Sequence, residues 1–468
     1  MQPLSSPVMA TGQPPAPTAA TPNNILLVIV ASSVGTLIEW YDLFLAIILA
    51  STLAANLFPP GDNQFLETLG VVASSYIIRP FGSLLFGSIG DRVGRKNSFL
   101  ASLLIMGGAT FLIGCIPSFS QAGWLAPIML LVLRLFQGLA ISGEYAGATI
   151  YVAEHAPANR RGFYTGFIQA TVPFGLIICL AVVYLTRSAM SPESFTGFGW
   201  RLPFLLSSVL VFMSYLIRRK LHESPMFSQL KREGKSSKSP IKESFSTPGN
   251  VALMLKAIFG GTAAQSSLMQ VSLFVSLFFM QRAAKIPDTT ALLSVGVAAL
   301  LGGPTFQIFG GLSDRVGRKP LMLAGLLVSA VMIPLSFYLF MHLGNPEGLK
   351  EVHPISAGTT GLFILLTTGM IVGCGLIYGP LGAFMLELFP TKIRYTSMGF
   401  AYNVSMGVIG GLTPFITELI KAKFDVGPGL TPFIGLTYPM MLITLALVVN
   451  LLAVPETYRN SLSDESHA

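Results

Sequence analysis

Long apolar runs separated by short polar breaks set the pattern of this chain. Six runs precede a polar stretch at 218–250, covering roughly 25–57, 67–89, 98–116, 125–154, 163–186 and 201–217. Six more follow it, at roughly 252–281, 289–312, 320–341, 358–387, 395–420 and 431–453. Each is about as long as the ~17–25 residues an α-helix needs to cross a bilayer. The runs are continuous rather than alternating, which selects helices over a closed barrel. The expectation is an all-α polytopic membrane protein of twelve transmembrane helices in two six-helix bundles. The expected divisions are a flexible tail over 1–23, a bundle over 24–217, a basic linker over 218–250, a second bundle over 251–454 and a tail over 455–468. Residues 1–23 are rich in Pro, Thr, Ala and Ser and hold no Lys or Arg, unlike the start of a secretion signal.

Composition supports the bilayer reading. Charged residues make up 11% of the chain, against about 25% in a soluble domain. The net charge of +8 is spread over short inter-helix segments without interleaved stacking aromatics, so it is no nucleic-acid signal. With the N-terminus placed inside, the inner loops, linker and tail hold 19 Lys and Arg and the outer loops 6, so both termini and the linker are expected to be cytoplasmic. Cys115, Cys179 and Cys374 lie in or beside apolar runs with no Cys-x-x-Cys spacing, which suits packing rather than a disulfide or a metal.

Two polar signatures repeat. "GDRVGRK" at Gly90–Lys96 returns as "SDRVGRK" at Ser313–Lys319, an offset of 223 between Asp91 and Asp314. Glu154, Pro157, Arg161 and Gly166 return as Glu387, Pro390, Arg394 and Gly399, an offset of 233. The ten extra residues fit the polar outer loop 342–357. Parallel repeats of this kind mark a transporter whose two bundles rock about a midplane site.

With those residues, the chain is similar to the major facilitator superfamily. "RPFGSLLFGSIGDRVGRK" (Arg79–Lys96), "LIEWYDLFL" (Leu37–Leu45) and "RLFQGLAISGEYAGA" (Arg134–Ala148) resemble its metabolite:proton symporter branch. The resemblance spans roughly 25–455. It implies the major facilitator fold and symport of a small carboxylate or zwitterion with protons by a monomer in a bacterial-type inner membrane. Helix 4 departs from the superfamily's Arg-xxx-Gly-xxx-Gly pattern, reading Arg134, Gly138, Ser142. The Gly-Pro pair that drug antiporters carry in helix 5 is missing; only Pro173 and Gly175 stand there.

An ionisable side chain within hydrocarbon costs at least about 2.5–3.5 kcal/mol, so each one is a site candidate. Asp42 lies roughly 25 Å from the cytoplasmic end of helix 1, and Arg134 roughly 30 Å from that of helix 4, by helical rise. A proton-coupling set of Asp42, Arg134, Glu39 and Glu144 is expected, with Asp42 facing Arg134. The superfamily's sugar symporters resemble this arrangement. A static ion pair is the plainer alternative. Arg79 and Glu144 fall about 15 Å from their cytoplasmic ends, near the midplane. Arg79 is expected to anchor a substrate carboxylate, because a guanidinium fork matches that anion. Glu144 would hold Arg79 in the empty carrier or carry the proton itself, or the two would pair only structurally. Tyr41, Gln137, Tyr145, Gln169, Gln265, Gln270, Tyr378, Tyr402 and Asn403 are neutral candidates for the cavity, with Trp40 ambiguous. The repeated signatures supply an expected cytoplasmic gate of Asp91, Arg92, Gly94, Arg95 and Glu154, with Asp314, Arg315, Gly317, Arg318 and Glu387. A simple positive-inside turn would explain the basicity of these loops but not their repeated Asp and Gly.

An ATP-driven pump is excluded, because Gly234-Lys235-Ser236 has Gln229 where a phosphate loop needs glycine. No HExxH, CxxC or helix-appropriate GxSxG points to an enzyme, a metal or a cofactor. Expected partners are protons, a small molecule and the lipid bilayer. A proton-independent uniporter or exchanger, and a transporter-like sensor without turnover, are the alternatives.

Overall fold

The computed structural model describes residues 22–93, 95–218, 239–390, 393–424, 426–427, 429–458 and 460, with the side chains of 90–99 outside the description. It is helical throughout, with no strand among the described residues. Among the described residues, twelve main helices follow one another, several of them built from two segments. They are α1 (Pro22–Ile48, carried on by Ala50–Leu57), α2 (Gln64–Ile77 and Arg79–Val93), α3 (Arg95–Gly114), α4 (Leu125–Ile141 and Glu144–His155), α5 (Arg161–Ser188) and α6 (Arg201–Arg218). The second half gives α7 (Asn250–Arg282), α8 (Asp288–Gly302 and Pro304–Val316), α9 (Arg318–Gly344), α10 (Ala357–Leu388), α11 (Arg394–Asn403, continuing to Thr413–Lys423) and α12 (Thr437–Ala453).

Ten described helices are long and apolar enough to cross a membrane. An eleventh qualifies when Pro192–Gly199 and Arg201–Leu216 are joined across a 52° bend, and the apolar stretch Leu100–Gly114 within α3 is shorter. The twelve apolar runs thus map one-to-one onto helices. Of the basic linker, 219–238 lie outside the described residues. Its end forms a short helix, Pro240–Ser246, that rests on α11 through the Phe245–Phe400 contact.

Within the first half α1 packs on α5 and α6, and α3 on α4 and α6. Within the second half α10 packs on α8 and α9, and α12 on α9. The halves meet where α5 lies along α8 and α10, and where α2 lies along α11. Small residues allow the closest of these approaches. A Cβ on Gly162 would stand 2.2 Å from the Gly310 carbonyl oxygen, and one on Gly310 would stand 2.4 Å from that of Gly162. Backbone meets backbone there, at the end of the molecule that bears the Ser313–Lys319 loop, here called the motif face. The hydrocarbon supplies no hydrophobic drive between helices, so close packing and polar bonds hold the halves together.

Candidate functional site

The motif face is built from the second repeat. α8 ends at Val316, and Gly317 adopts φ 107°, a conformation costly for any residue with a Cβ. That turn brings Arg318 back beneath the end of α8, where it is 1% exposed. Its Nε and Nη2 donate to Glu387 on α10 at 3.2 and 2.9 Å, and its Nη1 to Asp314 Oδ1 at 2.8 Å. Asp314 also accepts the backbone N–H groups of Gly162 and Phe163, at 2.8 Å each, which open α5 in the other half. A carboxylate at a helix N-terminus is favoured by the unsatisfied amides and the helix dipole. Asp314 therefore bonds both halves at once.

The segment after α12 covers this network. Glu456 accepts the N–H groups of Arg318 and Lys319 at 2.9 and 3.1 Å, capping α9. Thr457 Oγ1 donates to Glu387 Oε2 at 3.0 Å. These residues were not among the sequence candidates, since nothing in "PET" after an apolar run announces a cap. Arg315, expected in the gate, is exposed and bonds none of the network. In the first repeat Gly94 lies outside the described residues, as do the side chains of Asp91, Arg92 and Arg95. Glu154 ends the second segment of α4, half-buried.

The midplane holds a polar cluster to which both halves contribute. Tyr145 (α4) and Tyr402 (α11) stack with centroids 3.5 Å apart and planes 8° from parallel. Tyr402 shares a 2.8 Å hydroxyl bond with Tyr378 (α10), and Gln169 (α5) donates to the Tyr145 hydroxyl at 2.6 Å. Gln270 (α7) donates to the Tyr76 hydroxyl (α2) at 3.2 Å. Arg79, 1% exposed, opens the second segment of α2 with its guanidinium carbon 5.3 Å from the Tyr76 ring centroid and 5.9 Å from that of Trp40. Its Nε and Nη1 have no hydrogen-bond partner. Both amide atoms of Gln265 and the carbonyl oxygens of Gln169, Gln270 and Asn403 are also buried without one. A buried donor left without a partner costs about 1–3 kcal/mol, more when charged, so such a concentration in one place is the mark of a site for a polar ligand.

Two expected pairings are not formed, for one reason: depth along a helix was read correctly and direction around it was not. Arg134 does reach α1, but at the Leu43 carbonyl (3.3 Å) rather than at the neighbouring Asp42. Its other donors go to the Val72 carbonyl at 3.0 and 2.8 Å, to Gln137 at 2.8 Å and to Ser75 at 2.7 Å. It clamps α1, α2 and α4 together. Asp42 points the other way, beside Ser207 and Thr110, and neither of its oxygens has a hydrogen-bond partner. Thr110 accepts from Gln137 at 2.7 Å, so Asp42 lies next to a residue tied to the Arg134 clamp, with no hydrogen bond joining Asp42 to it.

The second pairing is Arg79 with Glu144. α4 breaks at Ser142 and Gly143, and Glu144, the first residue beyond the break, turns toward α1. It accepts from Thr36 at 3.1 Å and does not pair with Arg79, which lies over the rings instead. The carbonyls at the break are bonded from the other half, Gly143 by Tyr395 at 2.6 Å and Ser142 by Asn403 at 2.8 Å. Two cavity candidates are drawn out of the cluster. Tyr41 donates to the Pro203 carbonyl at 2.7 Å, and Gln137 is held by Arg134 and Thr110. Glu39, from the proton-coupling set, is buried on α1. Tyr76 was missed, although its spacing of three from Arg79 places the two on one helix face.

Two six-helix halves around a shared polar cluster, locked to each other at one face, are the architecture of a membrane transporter. The chain belongs to the Major Facilitator Superfamily, whose family model matches residues 33–414. It is a transporter and not an enzyme, embedded in a membrane. It is 33% identical over 427 residues to the Inner membrane metabolite transport protein YhjE of Escherichia coli, covering 89% of this chain and 93% of that one. It is 31% identical over 399 residues to the Shikimate transporter of the same organism (84% and 87% covered). A putative proline/betaine transporter of Staphylococcus aureus is 28% identical over 415 residues (87% and 84%). Among solved structures, the proton:xylose symporter XylE bound to 6-bromo-6-deoxy-D-glucose superposes with a TM-score of 0.73 at 18% identity, covering 94% of this chain and 98% of that one, which shows the shared fold.

Proposed function

We propose that this transporter takes up a small carboxylate or zwitterionic metabolite together with a proton, by alternating access. The observation that carries the substrate class is Arg79: a buried guanidinium with unbonded donors, set among rings and amides from both halves. A carboxylate would fill those donors with two parallel bonds, and the surrounding unpartnered amides would read its other polar groups. Binding would join α2 to α7, α10 and α11, and so favour the state in which the halves close on the substrate.

Asp42 is the proposed proton carrier. An isolated carboxylate among buried neutral groups is costly when charged. Protonation removes that charge and gives Asp42 a donor beside Thr110, which is bonded through Gln137 to the clamp joining α1, α2 and α4. Glu144, beside the break in α4, is the second choice. The Asp314–Arg318–Glu387 network, with its repeat at Asp91 and Arg95, is the proposed cytoplasmic gate. The scheme places both termini in the cytoplasm, with bundles over 24–217 and 251–454 joined by 218–250.

The test is uptake into proteoliposomes of shikimate, proline and betaine, with and without an imposed pH gradient. Arg79→Ala should abolish uptake while the protein stays monodisperse on size exclusion. Arg79→Lys should bind worse although it keeps the charge, because an ammonium lacks the planar fork. Near-parent affinity in a folded Arg79→Ala protein would overturn the site. Uptake indifferent to the pH gradient would favour a uniporter or exchanger.

A further inference from the structure

Aromatic rings form a column of two contact groups, one turn of α7 apart, from the midplane cluster toward the face opposite the Ser313–Lys319 loop. Trp40 stacks on Phe44 with centroids 5.3 Å apart, and Phe44 meets Phe274 at 5.1 Å. One turn further along α7, Phe278 meets Phe65 edge-on at 5.5 Å. Phe44 and Phe65 come from the first half and Phe274 and Phe278 from the second, so both ring contacts join the halves. Trp40, Phe44, Phe274 and Phe278 are buried, and Phe65 is half-buried.

A cation stands at each end of the column. At the midplane it is Arg79, over Trp40. At the far end it is Arg282, the last residue of α7, with its guanidinium carbon 3.3 Å from the Phe65 ring centroid. Arg282 is exposed and has no hydrogen bond or ion pair to any described residue. The carboxylates whose fields reach it are Glu418 and Asp288. Each is already engaged, Glu418 with Lys421 and Asp288 with Arg187 at 3.4 Å. A guanidinium lying on a ring spends only its face there and keeps its edge donors for a planar anion.

We infer that Arg282 is a second carboxylate station, at the mouth of the pathway, and the latch of the aromatic seal. This rests on the reading of the protein as a carboxylate or zwitterion transporter with Arg79 as the inner anchor. An incoming carboxylate docks on the free edge of Arg282. The bound anion offsets the charge that holds the guanidinium to the Phe65 ring, so Arg282 leaves the ring. The Phe65–Phe278 contact, the outermost joint of the column, then loosens. The substrate passes the rings to Arg79, roughly 18 Å below Arg282 if measured at Gln270, twelve residues down α7. An uncharged solute has nothing with which to release the latch, so selection for an anionic group begins before the central site.

The test uses Gln270→Cys in a full-length chain carrying Cys115→Ser. This puts a thiol beneath the seal, with the remaining cysteines, Cys179 and Cys374, buried. Reconstituted protein is exposed to an anionic reagent, 2-sulfonatoethyl methanethiosulfonate, and to a cationic one, 2-(trimethylammonio)ethyl methanethiosulfonate, and modification is followed by mass spectrometry. The anionic reagent should react about tenfold faster, as expected for a charged cleft. Arg282→Gln should erase that preference and speed the cationic reagent. Phe65→Leu should speed both reagents and keep the preference. An unchanged reagent ratio in Arg282→Gln, or unchanged rates in Phe65→Leu, would overturn the inference. No transported substrate is needed, so this failure is distinguishable from failure of the uptake panel.

Discussion

Asp314→Asn tests the joint between the halves. The carboxylate accepts two N–H groups of α5, from Gly162 and Phe163, at 2.8 Å each, and holds Arg318 at 2.8 Å. Asparagine keeps one acceptor oxygen, so at least one α5 amide loses its partner and an NH₂ group turns toward other donors. A hydrogen bond to a charged group contributes about 1.5–3 kcal/mol, roughly 1 kcal/mol more than a neutral one. Loss of the anion from a helix N-terminus adds about 0.3–1 kcal/mol. Arg318 keeps its forked contact with Glu387, so the full ~3–5 kcal/mol of a broken buried pair is not incurred. The sum is about 2–3 kcal/mol against the state closed at the motif face, a population shift of roughly 30- to 150-fold. Spin labels at Asn159→Cys and Arg315→Cys, both exposed and on opposite halves, report it by double electron–electron resonance in a Cys115→Ser background. The long-distance population should grow in Asp314→Asn. A distance distribution identical to the parent's would refute the lock.

The fold was legible because a bilayer leaves few options. Apolar runs of bilayer length must be helices, and two repeats at offsets of 223 and 233 divide them into halves. The site was legible by depth only. Arg79, Tyr145, Gln169, Gln270 and Tyr378 share one level and meet there. Asp42 and Arg134 also share a level but face apart, because the break in a helix and the direction of each Cβ set azimuth, and neither shows in a residue count. The Glu144 pairing failed where α4 breaks at Ser142–Gly143, a place the sequence marks only with small residues. Contacts that depend on a loop folding back, such as Glu456 on the start of α9, leave no periodic trace at all. Long-range aromatic contacts such as Phe65 with Phe278 are equally silent, since phenylalanine is an ordinary residue in any membrane helix.

The motif-face lock has a second, uncharged test in Gly162→Ala. Its Cβ would stand 2.2 Å from the Gly310 carbonyl, a backbone atom that cannot step aside, so the same spin-label pair should show an opened motif face; an unchanged distance would count against the close approach. Asp42→Asn should leave substrate exchange intact while pH-driven accumulation in proteoliposomes vanishes, and accumulation that persists would move the proton site to Glu144. Arg134→Lys separates a clamp from a charge partner. If Arg134 served mainly as a cation, lysine would keep that role and stability would stay near the parent's. As a clamp it makes five bonds, to the Val72 and Leu43 carbonyls, Gln137 and Ser75, and spreads them over three nitrogens. Lysine has one nitrogen and three protons, so at least two of the five bonds are lost and at least one acceptor loses its donor. Bonds between membrane helices average about 0.6 kcal/mol and those to charged groups reach about 1.5–3, which puts the loss at roughly 2–4 kcal/mol. Thermal unfolding of the detergent-purified protein should show this as a clear fall in Tm, and a Tm equal to the parent's would return Arg134 to the role of simple counter-ion.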